Sequence, residues 1–264
     1  MNKHLIDHLE ELKDSGMAII RSAVSRKNID LIKKSIIKDR IFLEENNKKN
    51  LYRISPTLAS PAHLGFMLPL TTPYCDDSIL SFDLFYSLIE SYLGENFYLH
   101  EYVCNVALAN SNTKQYPHPD QEVNTNGPVG VVCNLAVEKT DASNGMTNVW
   151  PKTHLNVINL STDIYSYSSV QPALEPGDIL VRDISLIHQG VGNPSNVDRY
   201  LLALVFKPQW EKIAEYAVNN VPISFLETCS EKTKNILRFH GVVNNKNLTA
   251  KAYPAPKEIF SGGY

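Results

Sequence analysis

The chain has 264 residues, 43% hydrophobic and 20% charged, a composition that excludes disordered and collagen-like classes and fits one large domain. Twenty-five Lys and Arg against 28 Asp and Glu leave a formal charge of −3, so no global field draws the protein to nucleic acid or anionic lipid. The start, Met1 to His8, lacks the apolar core of a signal peptide, and no window reaches about 18 uncharged apolar residues. The expectation is a soluble, cytoplasmic protein with neither membrane nor nucleic-acid partners. Cys75, Cys104, Cys133 and Cys229 form no Cys-x-x-Cys pair and read as reduced, buried thiols; the sequons at Asn159 and Asn247 carry no weight in a chain that is not secreted.

Leu5, Ile6, Leu9 and Leu12 recur at helical spacing, and Asp14-Ser15-Gly16 stops that helix before the short apolar run Met17 to Ile20. Ile29, Ile32, Ile36 and Ile37 mark a Lys-rich second helix with Ser25 as N-cap, ending near the polar tract Glu44 to Asn50. Residues 51 to 79, with four prolines, read as irregular. Leu80, Leu84, Leu88 and Ile89 predict a third helix closed by Gly94.

From Tyr98 the pattern changes to short Val-, Ile-, Leu- and Tyr-rich runs separated by turn residues, too close together for crossover helices. This predicts an antiparallel sandwich or barrel with strands at Phe97–Asn110, Gln115–Asp120, Gly130–Glu138, Thr147–Trp150, Ile179–Asp183 and Arg199–Lys207, on which the N-terminal helices pack. After Pro208 a weak helical pattern returns. The last 25 residues either cross a site or hang free.

His118-Pro119-Asp120 lies at a predicted strand end, and a later strand leads into His188. Side chains two apart on a strand share a face, so two imidazoles and one carboxylate can form a facial triad that leaves positions of an octahedral iron open. Arg199 opens the last strand with Leu201, Ala203 and Val205 on one face, where a guanidinium can hold a dicarboxylate. Composition alone yields about 0.4 His-x-Asp by chance, so the tripeptide gains meaning only from order and context. His8-Leu9-Glu10 is a ligand-like pair on a helix, where residues two apart do not face each other. His4, His63, His100 and His240 read as surface or hydrogen-bonded core residues.

The order of these segments resembles the phytanoyl-CoA dioxygenase family of iron(II)- and 2-oxoglutarate-dependent oxygenases. The resemblance spans the helix-Gly-strand opening Leu12 to Ile20, His118-Pro119-Asp120, Asn144 to His154, Pro176 to Asp183 and His188 to Asn193. It implies an α+β, mainly β fold, a double-stranded β-helix (a cupin-like jelly-roll barrel) with residues 1–96 as helical support, 97–208 as core and 209–264 as extension. It also implies His118, Asp120 and His188 as iron ligands, Arg199 as partner of the far 2-oxoglutarate carboxylate, and O2 as oxidant. Asn134 is either a second cosubstrate contact or the partner of a neighbouring backbone, and Asn105 has a similar role open to it. Trp150 and His154 either wall the substrate pocket or simply pack their loop. Pro151-Lys152-Thr153-His154 departs from the family's Pro-Gly-Ser-His. Asp120 fills the position that related halogenases leave to Gly or Ala, so the expected reaction is hydroxylation or another halide-free C–H oxidation.

The implied substrate is a small metabolite or natural-product intermediate, free or tethered, with succinate and carbon dioxide as coproducts. Lys48, Lys49, Arg53 and Lys152 are the cations a CoA group would need, though scattered Lys and Arg usually just face solvent. Two alternatives remain: an inactive jelly-roll binding or regulatory protein, and a cupin-type metal-dependent isomerase or lyase that needs no 2-oxoglutarate. Oligomeric state cannot be read from the sequence.

Overall fold

A computed structural model describes residues 3–46, 62–124, 126–160, 164–213, 219–244, 248 and 251–252. Lys48, Lys49, Arg53, Asn247 and the C-terminal stretch 253–264 lie outside the described residues. Helix α1 (Lys3–Ser15) ends where Gly16 donates its N–H to Leu12 O at 3.0 Å. The φ of +84° at Gly16 is a backbone state that glycine adopts without cost, and it turns the chain into β1 (Met17–Ile20). Helix α2 (Arg26–Asn46) is capped by Ser25, whose Oγ accepts the Asn28 N–H at 3.3 Å. Ile29, Ile32 and Ile36 are fully buried. Ile37, expected on the same stripe, is 40% exposed, because one residue past Ile36 rotates the side chain about 100° off the buried line.

The stretch expected to be irregular instead contains β2 (His63–Met67) and α3 (Asp77–Leu80). Strand β2 lacks a readable alternation because both its faces are largely buried. The expected third helix is two: Leu80 ends α3, and α4 (Asp83–Leu93) begins after Ser81-Phe82 and closes at Gly94. The strands β3 (Tyr98–Ala107), β4 (Val131–Ala136), β5 (Thr147–Val149), β6 (Ile179–Asp183), β7 (His188–Gly190) and β8 (Arg199–Lys207) follow. The run 115–120 contracts to one bridge, in which His118 and His188 exchange backbone bonds of 3.0 and 2.9 Å. Beyond β8 come β9 (Asn220–Pro222), α5 (Ile223–Leu226), α6 (Glu231–Ile236), β10 (Gly241–Val243) and β11 (Lys251–Ala252).

The larger sheet runs β1-β6-β4-β8-β3-β2-β11 with every neighbouring pair antiparallel. The smaller pairs β5 with β7 and is widened by His118 against β7 and Val170 against β5. The two sheets face each other as a double-stranded β-helix, in agreement with the expected fold. Period-two alternation gives the larger sheet two unlike faces. Tyr102, Cys104, Val131, Cys133, Leu202, Leu204 and Phe206 point outward into one core with Ile29, Ile32, Phe85 and Leu88 of the helices. Each fully buried Leu, Ile or Phe there is worth about 1.5–3 kcal/mol. Residues of opposite parity, including Val103, Val132, Ala203 and Val205, line the barrel interior as a separate cluster. The four cysteines are free and buried. Among the described residues no helix is long and apolar enough to cross a membrane.

Candidate metal centre

His118 and His188 sit opposite each other on the smaller sheet, their rings 4.3 Å apart between centroids. Backbone carbonyls fix both imidazoles. His118 Nδ1 is 2.7 Å from Tyr116 O, and since a carbonyl can only accept, that Nδ1 carries the proton and Nε2 keeps its lone pair; His188 Nδ1 lies 3.1 Å from Leu186 O and 3.4 Å from the Arg182 Nη1 donor, so it faces an acceptor and a donor together. The two Nε2 atoms converge on one oxygen, Asp120 Oδ1, at 3.9 and 3.6 Å. The three ligand-type atoms lie within 4.8 Å of one another. Asp120 keeps 33% of its side chain exposed, so the cluster opens to solvent on the carboxylate side.

Electrostatics prepare the same three groups for a cation. Burial lowers the pKa of His118 below the ordinary imidazole value, and burial together with the Arg182 guanidinium pushes His188 well below it. Both rings are therefore neutral at pH 7. Burial alone would disfavour the Asp120 carboxylate, but Arg182, His188 and His118 outweigh it and hold the group well below the usual carboxylate range. Two neutral imidazoles and one carboxylate are the donor set of a facial triad and suit a divalent transition metal.

Arg182 has no role assigned from the sequence. It sits on β6, and its Nη2 donates to Asp120 Oδ2 at 2.6 Å while its Nε donates to Asn134 Oδ1 at 3.2 Å. Its signal in the sequence is a lone Arg directly after the apolar run Ile179-Leu180-Val181, in phase with the interior-facing Leu180. Asn134 also donates Nδ2–H to Leu202 O at 3.4 Å, so its amide has protein partners on both sides. Asn105, on β3, pairs with Leu201 and Gly65 and is half-buried.

Arg199 opens β8 and is buried. Its Nε donates to Gly145 O at 3.0 Å; among the described residues no carboxylate forms an ion pair with it, and Glu138, itself paired with Lys33, acts on it only through space. Burial lowers its pKa to about 10, which leaves it charged at neutral pH. Gly145 meets this requirement with a φ of +87° and a backbone so close to Gly192 O that an added Cβ would lie 3.0 Å from it. Trp150 packs with Ile164 and Ile187, and His154 Nε2 lies 3.2 Å from Lys13 O at the end of α1. The Trp150 backbone N–H also donates to Ile187 O at 3.0 Å, one residue before His188. Lys152 pairs with Asp14 on the surface.

No family model matches the sequence, and no curated protein matches it. Solved structures do. The non-haem α-ketoglutarate-dependent epimerase SnoN from nogalamycin biosynthesis aligns with a TM-score of 0.59 at 12% identity, over 78% of this chain and 81% of that one. AviO1 from Streptomyces viridochromogenes Tue57 aligns with a TM-score of 0.64 at 14% identity, over 81% and 99%. HygX from Streptomyces hygroscopicus, crystallised with nickel, 2-oxoglutarate and hygromycin B, aligns with a TM-score of 0.60 at 11% identity, over 84% and 91%. At these identities the likeness establishes a shared fold.

Proposed function

We propose that this chain is an iron(II)- and 2-oxoglutarate-dependent oxygenase that oxidises a C–H bond of a small, natural-product-like molecule. The observation that carries the reading is the convergence of His118 Nε2, His188 Nε2 and Asp120 Oδ1 inside the barrel that also holds Arg199, a buried cation without an ion-pair partner among the described residues. A buried charge left unpaired is costly unless an anionic ligand completes it. The bound structures of SnoN, with Fe3+, α-ketoglutarate and a nogalamycin compound, and of HygX support that choice of metal, cosubstrate and substrate class.

In this reading His118, Asp120 and His188 hold iron(II), and Arg199 takes the far carboxylate of 2-oxoglutarate. Iron(II) with 2-oxoglutarate and O2 supplies the oxidising power, releasing succinate and carbon dioxide. The protein orients. Neutral imidazoles present lone pairs, Arg199 fixes the direction of the cosubstrate, and the apolar wall of Val103, Val132, Ala203 and Val205 excludes water from the reacting side.

The test is a screen of small metabolites with iron(II), ascorbate and 2-oxoglutarate, reading succinate. Metal-dependent succinate is expected; metal-loaded protein that turns over a substrate with no need of 2-oxoglutarate would replace this reading by a cupin-type isomerase or lyase. SnoN, an epimerase on this fold, favours one second outcome. A product of unchanged mass formed with succinate identifies epimerisation, and one heavier by an oxygen atom identifies hydroxylation.

A further inference from the structure

The Asp120 carboxylate has two oxygens, and only Oδ1 faces the imidazoles. Oδ2 is taken by Arg182 Nη2 at 2.6 Å, a charge-assisted bond at the short end of its range. The donor is not a mobile surface group. Arg182 is buried on β6, whose backbone is paired on both sides, with Met17 of β1 and Val132 of β4. Its Nε is tied to Asn134 on β4, and Asn134 is tied in turn to Leu202 O on β8. Three adjacent strands of the larger sheet thus brace one oxygen of a ligand carried by the loop that follows the smaller sheet. A carboxylate free to chelate through both oxygens takes a second position on a metal, a position a facial triad otherwise leaves for other ligands.

We propose that Arg182 is a positioning residue: by occupying Asp120 Oδ2 it fixes the carboxylate as a one-oxygen ligand aimed at the two imidazoles, with Asn134 setting the angle of the guanidinium. The inference rests on the reading of the His118–Asp120–His188 cluster as a metal site. It assigns Asn134 to the support of Arg182 and away from the cosubstrate. Partners that orient a ligand in this way commonly alter metal affinity by about 10–100-fold when removed.

The test uses the full chain stripped of metal, titrated with Co(II) by calorimetry, with the visible spectrum of the Co(II) form as the report on coordination. Wild type should bind one Co(II) per chain and His188→Ala should not; a wild type that binds none removes the metal-site reading and this proposal with it. Arg182→Met should weaken Co(II) by about 10–100-fold and change the spectrum, while 2-oxoglutarate affinity at saturating metal stays within about twofold. Arg182→Lys keeps one donor and should recover part of both losses. Asn134→Leu, which removes the brace but leaves Arg182, should shift both readouts the same way by a smaller factor and serves where Arg182→Met is poorly folded. Wild-type Co(II) affinity and spectrum in folded Arg182 variants would overturn the proposal. So would a loss confined to 2-oxoglutarate binding, which would make Arg182 an anion clamp.

Discussion

The two faces of the larger sheet differ in kind. The outward face of β8 presents Tyr200, Leu202, Leu204 and Phe206 to the helices, and nearly every neighbour is apolar. The inward face of the same strand presents Arg199, Leu201, Ala203, Val205 and Lys207, and across it stand Asn134, Arg182 and Asn105. Polar groups cost stability when buried, so the inward face is poorer in hydrophobic stabilisation than a sheet of this size allows. The contrast separates two tasks within single strands: alternate residues hold the fold, and the residues between them face the chemistry.

The contrast is broken most severely by removing a triad member. His118→Ala should abolish metal-dependent succinate formation, a loss of at least about a thousandfold, while the melting temperature of the metal-free protein changes little. A variant that retains turnover would show that the imidazole is not a ligand. On the other face, Phe206→Ala should cost about 3–5 kcal/mol of stability by leaving a cavity beside Phe85 and Phe97, measured by urea unfolding. Molecules still folded at low urea should bind Co(II) normally. Arg199→Met comes next: affinity for 2-oxoglutarate should fall by about 10–100-fold, read at saturating metal, with metal affinity itself unchanged. Equal loss of both would mean that Arg199 supports the metal cluster instead.

The alternation behind this contrast was legible in the sequence wherever one face dominated. Arg199, Leu201, Ala203 and Val205 fall on one side of β8 as their spacing requires, and the order of His118, Asp120 and His188 is enough to name three residues that the fold brings together. Other features left no trace because they depend on partners. The run Leu80-Leu84-Leu88 keeps helical spacing across a break at Ser81-Phe82, so one helix was expected where there are two. Strand β2 has no alternation to read, and Ile37 differs from Ile36 only by a rotation of the helix. Arg182 stands beside an apolar run in a way that a solvent-facing Arg would match; only the interior parity of β6 shows that it reaches Asp120. The carbonyls of Tyr116 and Leu186, against which the two imidazoles rest, are backbone and carry no residue signal at all.

The smallest expected effect lies where the two-face rule fails. The pairing of β3 with β8 shifts register between Leu99 and Glu101, leaving His100 without a partner across the strands. His100 is buried with no hydrogen bond on Nδ1, and burial, with Lys207 and His240 nearby, lowers its pKa to about 3. The neighbouring His240 donates Nε2–H to Leu99 O and accepts the Asn219 N–H at Nδ1, and burial lowers its pKa to about 4. In the unfolded chain both rings titrate near about 6.5. Below that pH the unfolded state binds protons that the folded state refuses, so the stabilisation is complete above about 6.5 and drains away as the pH falls toward 4 and 3. Each ring adds a slope of at most about 1.4 kcal/mol per pH unit to the unfolding free energy. His100→Gln removes one such proton, and its urea-unfolding free energy should fall less steeply than that of the wild type between pH 6.5 and 5. Parallel curves would mean that His100 already takes up a proton in the folded protein, and that the bulge is open to water rather than sealed between the faces.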